Sequence, residues 1–249
     1  MNNNEIPVCR ILGVQIAAVS MEKLVKYLQA HRKELQGQYI CVSNVHTTVM
    51  AYEDIAYRSV QNGAVLAIPD GGPLSSVAHR RGYMQMQRTT GPDLMEEIFK
   101  ISVNNGYRHF FYGSTEETLE HLKTNLETKY PGIQISGMFS PPFRELTMQE
   151  DRKIISLINN AHPDFVWVGL GAPKQELWMA AHQGKIQGLM VGVGAGFNYH
   201  AGELKRAPQW MQRCNLEWLY RLLQDPRRLF KRYFTTNTKF IWNAYIKGR

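Results

Sequence analysis

The stretch Phe165-Val166-Trp167-Val168-Gly169-Leu170-Gly171-Ala172-Pro173-Lys174-Gln175-Glu176 runs from unbroken apolar residues through a glycine turn into a helix start. An apolar run of this length without alternation reads as a strand covered on both faces, the habit of parallel sheets. The same sentence is written three more times. Residues 65–68 run into Pro69-Asp70-Gly71-Gly72-Pro73, 109–112 into Gly113-Ser114-Thr115, and 189–193 into Gly194-Ala195-Gly196-Phe197-Asn198. Further strands are expected at 39–42 and 133–138, with helices over 21–35, 93–104, 116–129 and 147–161. Strands alternating with helices predict an α/β fold, Rossmann-like, with a mostly parallel sheet and helices on both faces.

In open sheets of this kind ligands bind beyond the carboxyl ends of the strands, where helix N-termini offer N–H groups to anions. Glycine lets the backbone approach a phosphate closely, and it is also needed for many strand-to-helix turns without any ligand. Gly192-x-Gly194-x-Gly196 is only a partial dinucleotide fingerprint and sits at the last strand; Gly194 stays a candidate for backbone contact with a ligand. A P-loop is absent from the sequence.

Charge divides the chain unevenly. Of 249 residues with net charge +8, the last forty hold nine Lys/Arg against Glu217 and Asp225, a local net of +7. The rest is nearly neutral. Trp210, Trp218, Tyr220, Phe230, Tyr233, Phe234, Phe240, Trp242 and Tyr245 are interleaved with those cations. Such a mixture suits a membrane interface, a nucleic acid, or an ordinary amphipathic helix with a solvated face. The division expected is a catalytic core over 1–205 and a basic, aromatic, helical C-terminal appendage over 206–249.

Three scattered cysteines, Cys9, Cys41 and Cys214, form no Cys-x-x-Cys pair, which fits a reducing cytoplasm better than a disulfide framework. The N-terminus lacks the basic start and apolar run of a secretory signal, and no apolar stretch is long enough to span a bilayer. Any membrane contact is therefore expected at the surface. Histidine spacing gives no metal motif, and an Asp-x-Asp pair is missing, so no metal and no cofactor are expected.

Asp70 is the leading carboxylate: at a strand end, between proline and two glycines, it suits a ligand crevice, though Asp also caps turns. Gln175 is a candidate ligand contact, and Glu176 either a second one or a stabiliser of the helix dipole. Arg88, in the loop Arg88-Thr89-Thr90-Gly91-Pro92-Asp93, is placed to meet a phosphate. Ser43, Asn44, His46 and Thr47 follow a strand and offer hydrogen bonds.

Several of these segments occur together in one known order. Ile68-Pro69-Asp70-Gly71, Arg88 to Asp93, the Gly169 to Glu176 segment and Gly192-Val193-Gly194-Ala195-Gly196-Phe197 come first. Lys205-Arg206-Ala207-Pro208, Leu216-Glu217-Trp218-Leu219-Tyr220-Arg221-Leu222, and Asp225-Pro226-Arg227-Arg228 with Arg232 follow. The chain resembles the WecG/TagA/CpsF family of bacterial glycosyltransferases over nearly its whole length.

The resemblance implies inverting, metal-independent transfer of a sugar from a UDP-sugar to a sugar on a polyprenyl diphosphate, in cell-surface polysaccharide or teichoic-acid synthesis. It implies Asp70 as general base, a weak one that needs to accept the proton only late in the displacement, and Gln175 as a holder of donor or acceptor. It implies an appendage that closes over the site and attaches to the membrane, with Arg221, Arg228 and Arg232 engaging diphosphate, and it brings Arg206 in with its motif. The location implied is the cytoplasmic face of the cell membrane, peripherally bound, without a nucleic-acid partner. Self-association would shelter the aromatic tail. Relatives of this kind often carry Thr two residues before the position of Asn44, where this chain has Val42; Ser43 and Thr47 are the alternatives for that hydroxyl. A UDP-sugar-modifying enzyme and a nucleic-acid-binding protein are the competing readings. The first leaves the tail without work and the second leaves Asp70 and Gln175 without it.

Overall fold

A computed structural model of the chain describes residues 6–214 and 216–248, with the backbone alone at 213, 228, 231 and 232. The chain opens with strands β1 (Val8–Ile11) and β2 (Val14–Ala17), then helix α1 (Met21–His31) and β3 (Tyr39–Ser43). Helices α2 (Val45–Glu53) and α3 (Ile55–Gly63) lead to β4 (Leu66–Pro69), α4 (Gly72–Arg80) and α5 (Gly91–Asn105). There follow β5 (Arg108–Gly113), α6 (Glu116–Lys129), β6 (Gln134–Phe139), α7 (Met148–Asn160) and β7 (Phe165–Gly169). Helix α8 (Lys174–Ala181), β8 (Leu189–Gly192) and α9 (Gly196–His200) precede the C-terminal helices α10 (Gln209–Arg213), α11 (Glu217–Gln224) and α12 (Pro226–Ile241). A π-helical turn at Trp242–Ile246 is the last element among the described residues.

The fold is α/β, with eight strands in a mostly parallel mixed sheet. All six strands expected from the apolar runs form, each within a residue or two of the expected limits. The hairpin β1–β2 was not anticipated. Its strands are four residues each, and its turn, Leu12-Gly13, puts Leu12 at φ +48° beside Gly13 at φ +86°. Two positive φ values in sequence suit a tight antiparallel hairpin, but Leu is not a residue that announces them.

Two compact units divide the chain: residues 1–21, 42–90 and 205–249 form the first, and 22–41 and 91–204 the second. In the first unit β1 pairs antiparallel with β2, and β2 parallel with β4. Helix α12 packs on α2, burying Leu229 and Phe240, with Lys239 paired to Glu53 and the Arg80 guanidinium 4.7 Å from the Tyr245 ring centre. The C-terminal helices are thus built into the same unit as β4 and its following loop.

In the second unit β8 pairs with the 39–41 part of β3 and with β7, while β5 pairs with β7 and β6, all parallel. Its core is aromatic: Phe99 lies 5.6 Å from Trp167, 5.1 Å from His109 and 6.0 Å from Phe111. Trp167 Nε1–H donates to His109 Nδ1 at 3.2 Å, so the imidazole is neutral, and burial pushes its pKa down to about 3. Among the described residues no helix is long and apolar enough to cross a membrane.

Candidate functional site

In the first unit three loops are tied to one another by backbone bonds. Asp70 N–H donates to the Ser43 carbonyl at 2.7 Å, and Thr89 N–H donates to the Pro69 carbonyl at 2.8 Å. The residues expected to carry chemistry at 43–47, 70 and 88 are therefore neighbours through their main chains. Asp70 is half-buried and follows β4; Gly71 behind it has φ +122°, a conformation only glycine adopts without strain. Helix α4 then begins with no side-chain cap and with Pro73 in its first turn. Asp70 consequently lies in the loop just before the N-terminus of α4, the positive end of a helix.

The polar residues after β3 have work inside the fold. Asn44 caps α2: its Oδ1 accepts from Thr47 N–H at 3.1 Å, and Thr47 Oγ1 accepts from Asn44 N–H at 2.9 Å. Ser43 is buried and its hydroxyl donates to Gln61 Oε1 at 2.6 Å, while Gln61 Nε2 donates to the Tyr57 hydroxyl at 3.0 Å. The two alternatives for a hydroxyl in this loop, Ser43 and Thr47, are both engaged in holding it.

Arg88 forms an ion pair with Glu217 Oε2. The other carboxylate oxygen, Oε1, takes Arg206 Nε at 3.2 Å, and Arg206 Nη2 donates to Gln212 Oε1 at 3.2 Å. Gln212 in turn donates to the Ala207 carbonyl at 2.7 Å. Side-chain exposures of 18%, 17% and 26% for Arg88, Glu217 and Arg206 put this trio partly out of water, where charge pairing is screened less than at the surface.

The second unit holds a different arrangement. Gln175 Oε1 accepts from Gly171 N–H at 3.1 Å and from Gly194 N–H at 3.0 Å, and its Nε2 donates to Glu176 Oε1 at 2.8 Å. Gln175 is 4% exposed and Glu176 fully buried. The amide oxygen thus brackets the loops that follow β7 and β8, and the amide nitrogen is spent on Glu176. Gly194, at φ +52°, turns its N–H toward this amide. Beside it, burial and then the Glu176 carboxylate push the Cys41 thiol well above the usual thiol range. Among the described residues no group of three His, Cys, Asp or Glu side chains could hold a metal ion.

A model of the glycosyl transferase WecG/TagA/CpsF family matches residues 9–249, from β1 to the end of the chain. The chain belongs to that family. Among its relatives are the N-acetylglucosaminyldiphosphoundecaprenol N-acetyl-beta-D-mannosaminyltransferases of Staphylococcus aureus strains MW2 and NCTC 8325 / PS 47. Each is 30% identical over 222 residues, which is 88% of this chain and 85% of the relative. This WecG/TagA/CpsF member is a glycosyltransferase.

For a glycosyltransferase the placement of the remaining candidates matters. Arg221 is half-buried on α11, one turn beyond Glu217. Arg228 and Arg232 lie four residues apart on α12, and their side chains are outside the described part of the structure. Trp210, Trp218, Leu223, Phe230, Phe234, Ile241, Trp242 and Ile246 are exposed, more than half of the exposed large apolar side chains among the described residues. Glu217 was not among the residues singled out for the site. The available signal was its rarity: with Asp225 it is one of two acids in a strongly cationic segment.

Proposed function

We propose that this glycosyltransferase moves a hexosamine from a UDP-sugar onto an N-acetylglucosamine carried on a polyprenyl diphosphate, in cell-envelope polymer synthesis. The observation that carries the reading is the pair of near-full-length relatives named as N-acetyl-beta-D-mannosaminyltransferases acting on N-acetylglucosaminyldiphosphoundecaprenol. N-acetylmannosamine is accordingly the donor sugar to try first.

In the proposed chemistry the Asp70 carboxylate takes the proton of the acceptor hydroxyl as that oxygen attacks the anomeric carbon. The bond from that carbon to the UDP oxygen breaks on the opposite face, so configuration inverts. An α-linked nucleotide-sugar would give the beta linkage in the relatives' names by one such displacement. The placement of Asp70 at the end of β4, in the loop before α4, supports this role, since ligands bind beyond the carboxyl ends of strands in open sheets of this kind. Charge developing on the departing diphosphate falls to Arg88 and Arg206, with Arg221, Arg228 and Arg232 serving the acceptor's diphosphate, and no metal is required. Asn44 shapes the loop beside Asp70, with Ser43 and Thr47 holding it. Gln175, with Glu176, holds the Gly171 and Gly194 loops to one another rather than reaching a ligand itself.

Residues 206–249 form, in this reading, the membrane-associating appendage, working from the cytoplasmic face of the membrane. Its exposed Trp and Phe side chains and net +8 charge support interfacial attachment.

The test is transfer from a panel of UDP-sugars to a synthetic GlcNAc-diphospholipid in EDTA, comparing wild type with Asp70→Asn. Product from wild type alone is expected. No product with any donor would overturn the reading, and activity that needs added Mg²⁺ would overturn its metal-free form.

A further inference from the structure

Glu217 sits oddly for a residue in a segment meant to meet anions. Nine Lys/Arg fill the last forty residues, and a carboxylate there lowers the attraction for any phosphate. Its two oxygens are divided between Arg88, from the loop after α4, and Arg206, from the segment before α10. Those two residues are 118 positions apart, and within the first unit this one side chain brings them together.

We propose that Glu217 is a positioning residue that holds Arg88 and Arg206 as a paired clamp for a diphosphate; the inference rests on the transferase reading above. A guanidinium is a planar fork with five N–H donors. Fixing one edge of each fork orients the rest, and it removes the side-chain entropy that two mobile arginines would lose on binding. The trio keeps a net charge of +1, so it still attracts an anion. Gln212 steadies Arg206 from a second side, at 3.2 Å.

The clamp is also tied to Asp70. Thr89, next to Arg88, donates its N–H to the Pro69 carbonyl at 2.8 Å, and Pro69 precedes Asp70. A shift of the Arg88 loop would therefore pull on the residue before the proposed base. Glu217 thus makes α11 part of the site without touching a substrate.

The opposite reading makes Glu217 a stand-in for the diphosphate that leaves when ligand arrives. Its side chain is only 17% exposed, and vacating the arginines would strand a partly buried carboxylate, which costs much more than breaking a surface pair. The two readings predict changes of opposite sign.

Binding of inorganic pyrophosphate and of UDP to the full chain, followed by calorimetry, tests this. Glu217→Gln is expected to weaken pyrophosphate binding about tenfold, the size of one well-placed charge-assisted contact. In an Arg88→Gln background the same substitution should cost clearly less than in wild type, because one of the two arginines that it positions is already gone. Unchanged or tighter binding by Glu217→Gln overturns the proposal, as do losses that simply multiply in the double variant. If Glu217→Gln does not fold, Glu217→Asp draws the charge back by one methylene and should bind pyrophosphate about threefold more weakly; binding equal to wild type would then overturn it. A wild-type chain that binds neither probe would bring down the transferase reading itself, and this inference with it.

Discussion

Around Asp70 the charged side chains are half-buried and drawn from four separate stretches of chain; around Gln175 the polar groups are mostly close in sequence and closed upon one another. In the first region the strong partners are ion pairs, Glu217 with Arg88 and Arg206. In the second, one amide makes three hydrogen bonds and leaves neither of its polar atoms without a bond. The contrast separates two kinds of work. Charges kept partly out of water can still meet a ligand and are worth more there than at the surface. A buried amide that brackets two loops gives the backbone a fixed shape, and its loss takes a partner from two N–H donors and one carboxylate oxygen at once.

If that division holds, substitutions of the charged residues in the first region should spare stability and cost activity. Asp70→Asn should lower kcat about 10³-fold, within the range for loss of a general base, while UDP binding stays close to wild type. A variant that lost UDP binding to the same degree would mark Asp70 as a binding residue. Gln175→Ala should do the reverse and cost about 3 kcal/mol of unfolding free energy in urea, because the Gly171 and Gly194 N–H groups lose their acceptor together. Full stability with lost activity would return Gln175 to the ligand-contact role that its position after Gly171 first suggested.

His109 sharpens the picture of the second unit through pH. Its pKa in the fold is about 3 against 6.5 for an ordinary histidine. Below pH 6.5 the unfolded chain binds a proton that the folded chain refuses, so stability falls as pH drops from 6.5 toward 3. Between pH 7 and pH 5 the loss from this group should be about 2 kcal/mol. His109→Gln keeps an acceptor for Trp167 and should flatten that slope; an unchanged slope would place the pH dependence elsewhere. The smallest effect is expected at Ser43→Ala, about 1 kcal/mol, from the buried hydrogen bond to Gln61. A loss of activity well beyond that would give Ser43 a part in the chemistry.

Much of the layout was legible because it is written locally. Continuous apolar runs ending at Gly or Pro marked β4, β5, β7 and β8. Helix α2 was hidden in plain view. Asn44 and Thr47 have capping-box spacing, but a polar run after a strand also reads as a ligand loop, and only geometry separates the two. The hairpin at Val8–Ala17 escaped because its turn depends on Leu12 at positive φ.

By itself the sequence determined the α/β class, the family, the concentration of charge in the tail and the candidacy of Asp70. Each depends on residue type and on spacing along the chain. The tertiary structure alone decided that Gln175 faces inward to Gly171 and Gly194, that the C-terminal helices pack in the same unit as Asp70, and that Glu217 joins Arg88 across 129 positions. Those contacts form between segments distant in sequence, whose pairing is set by packing of whole elements and leaves no period or motif in the chain.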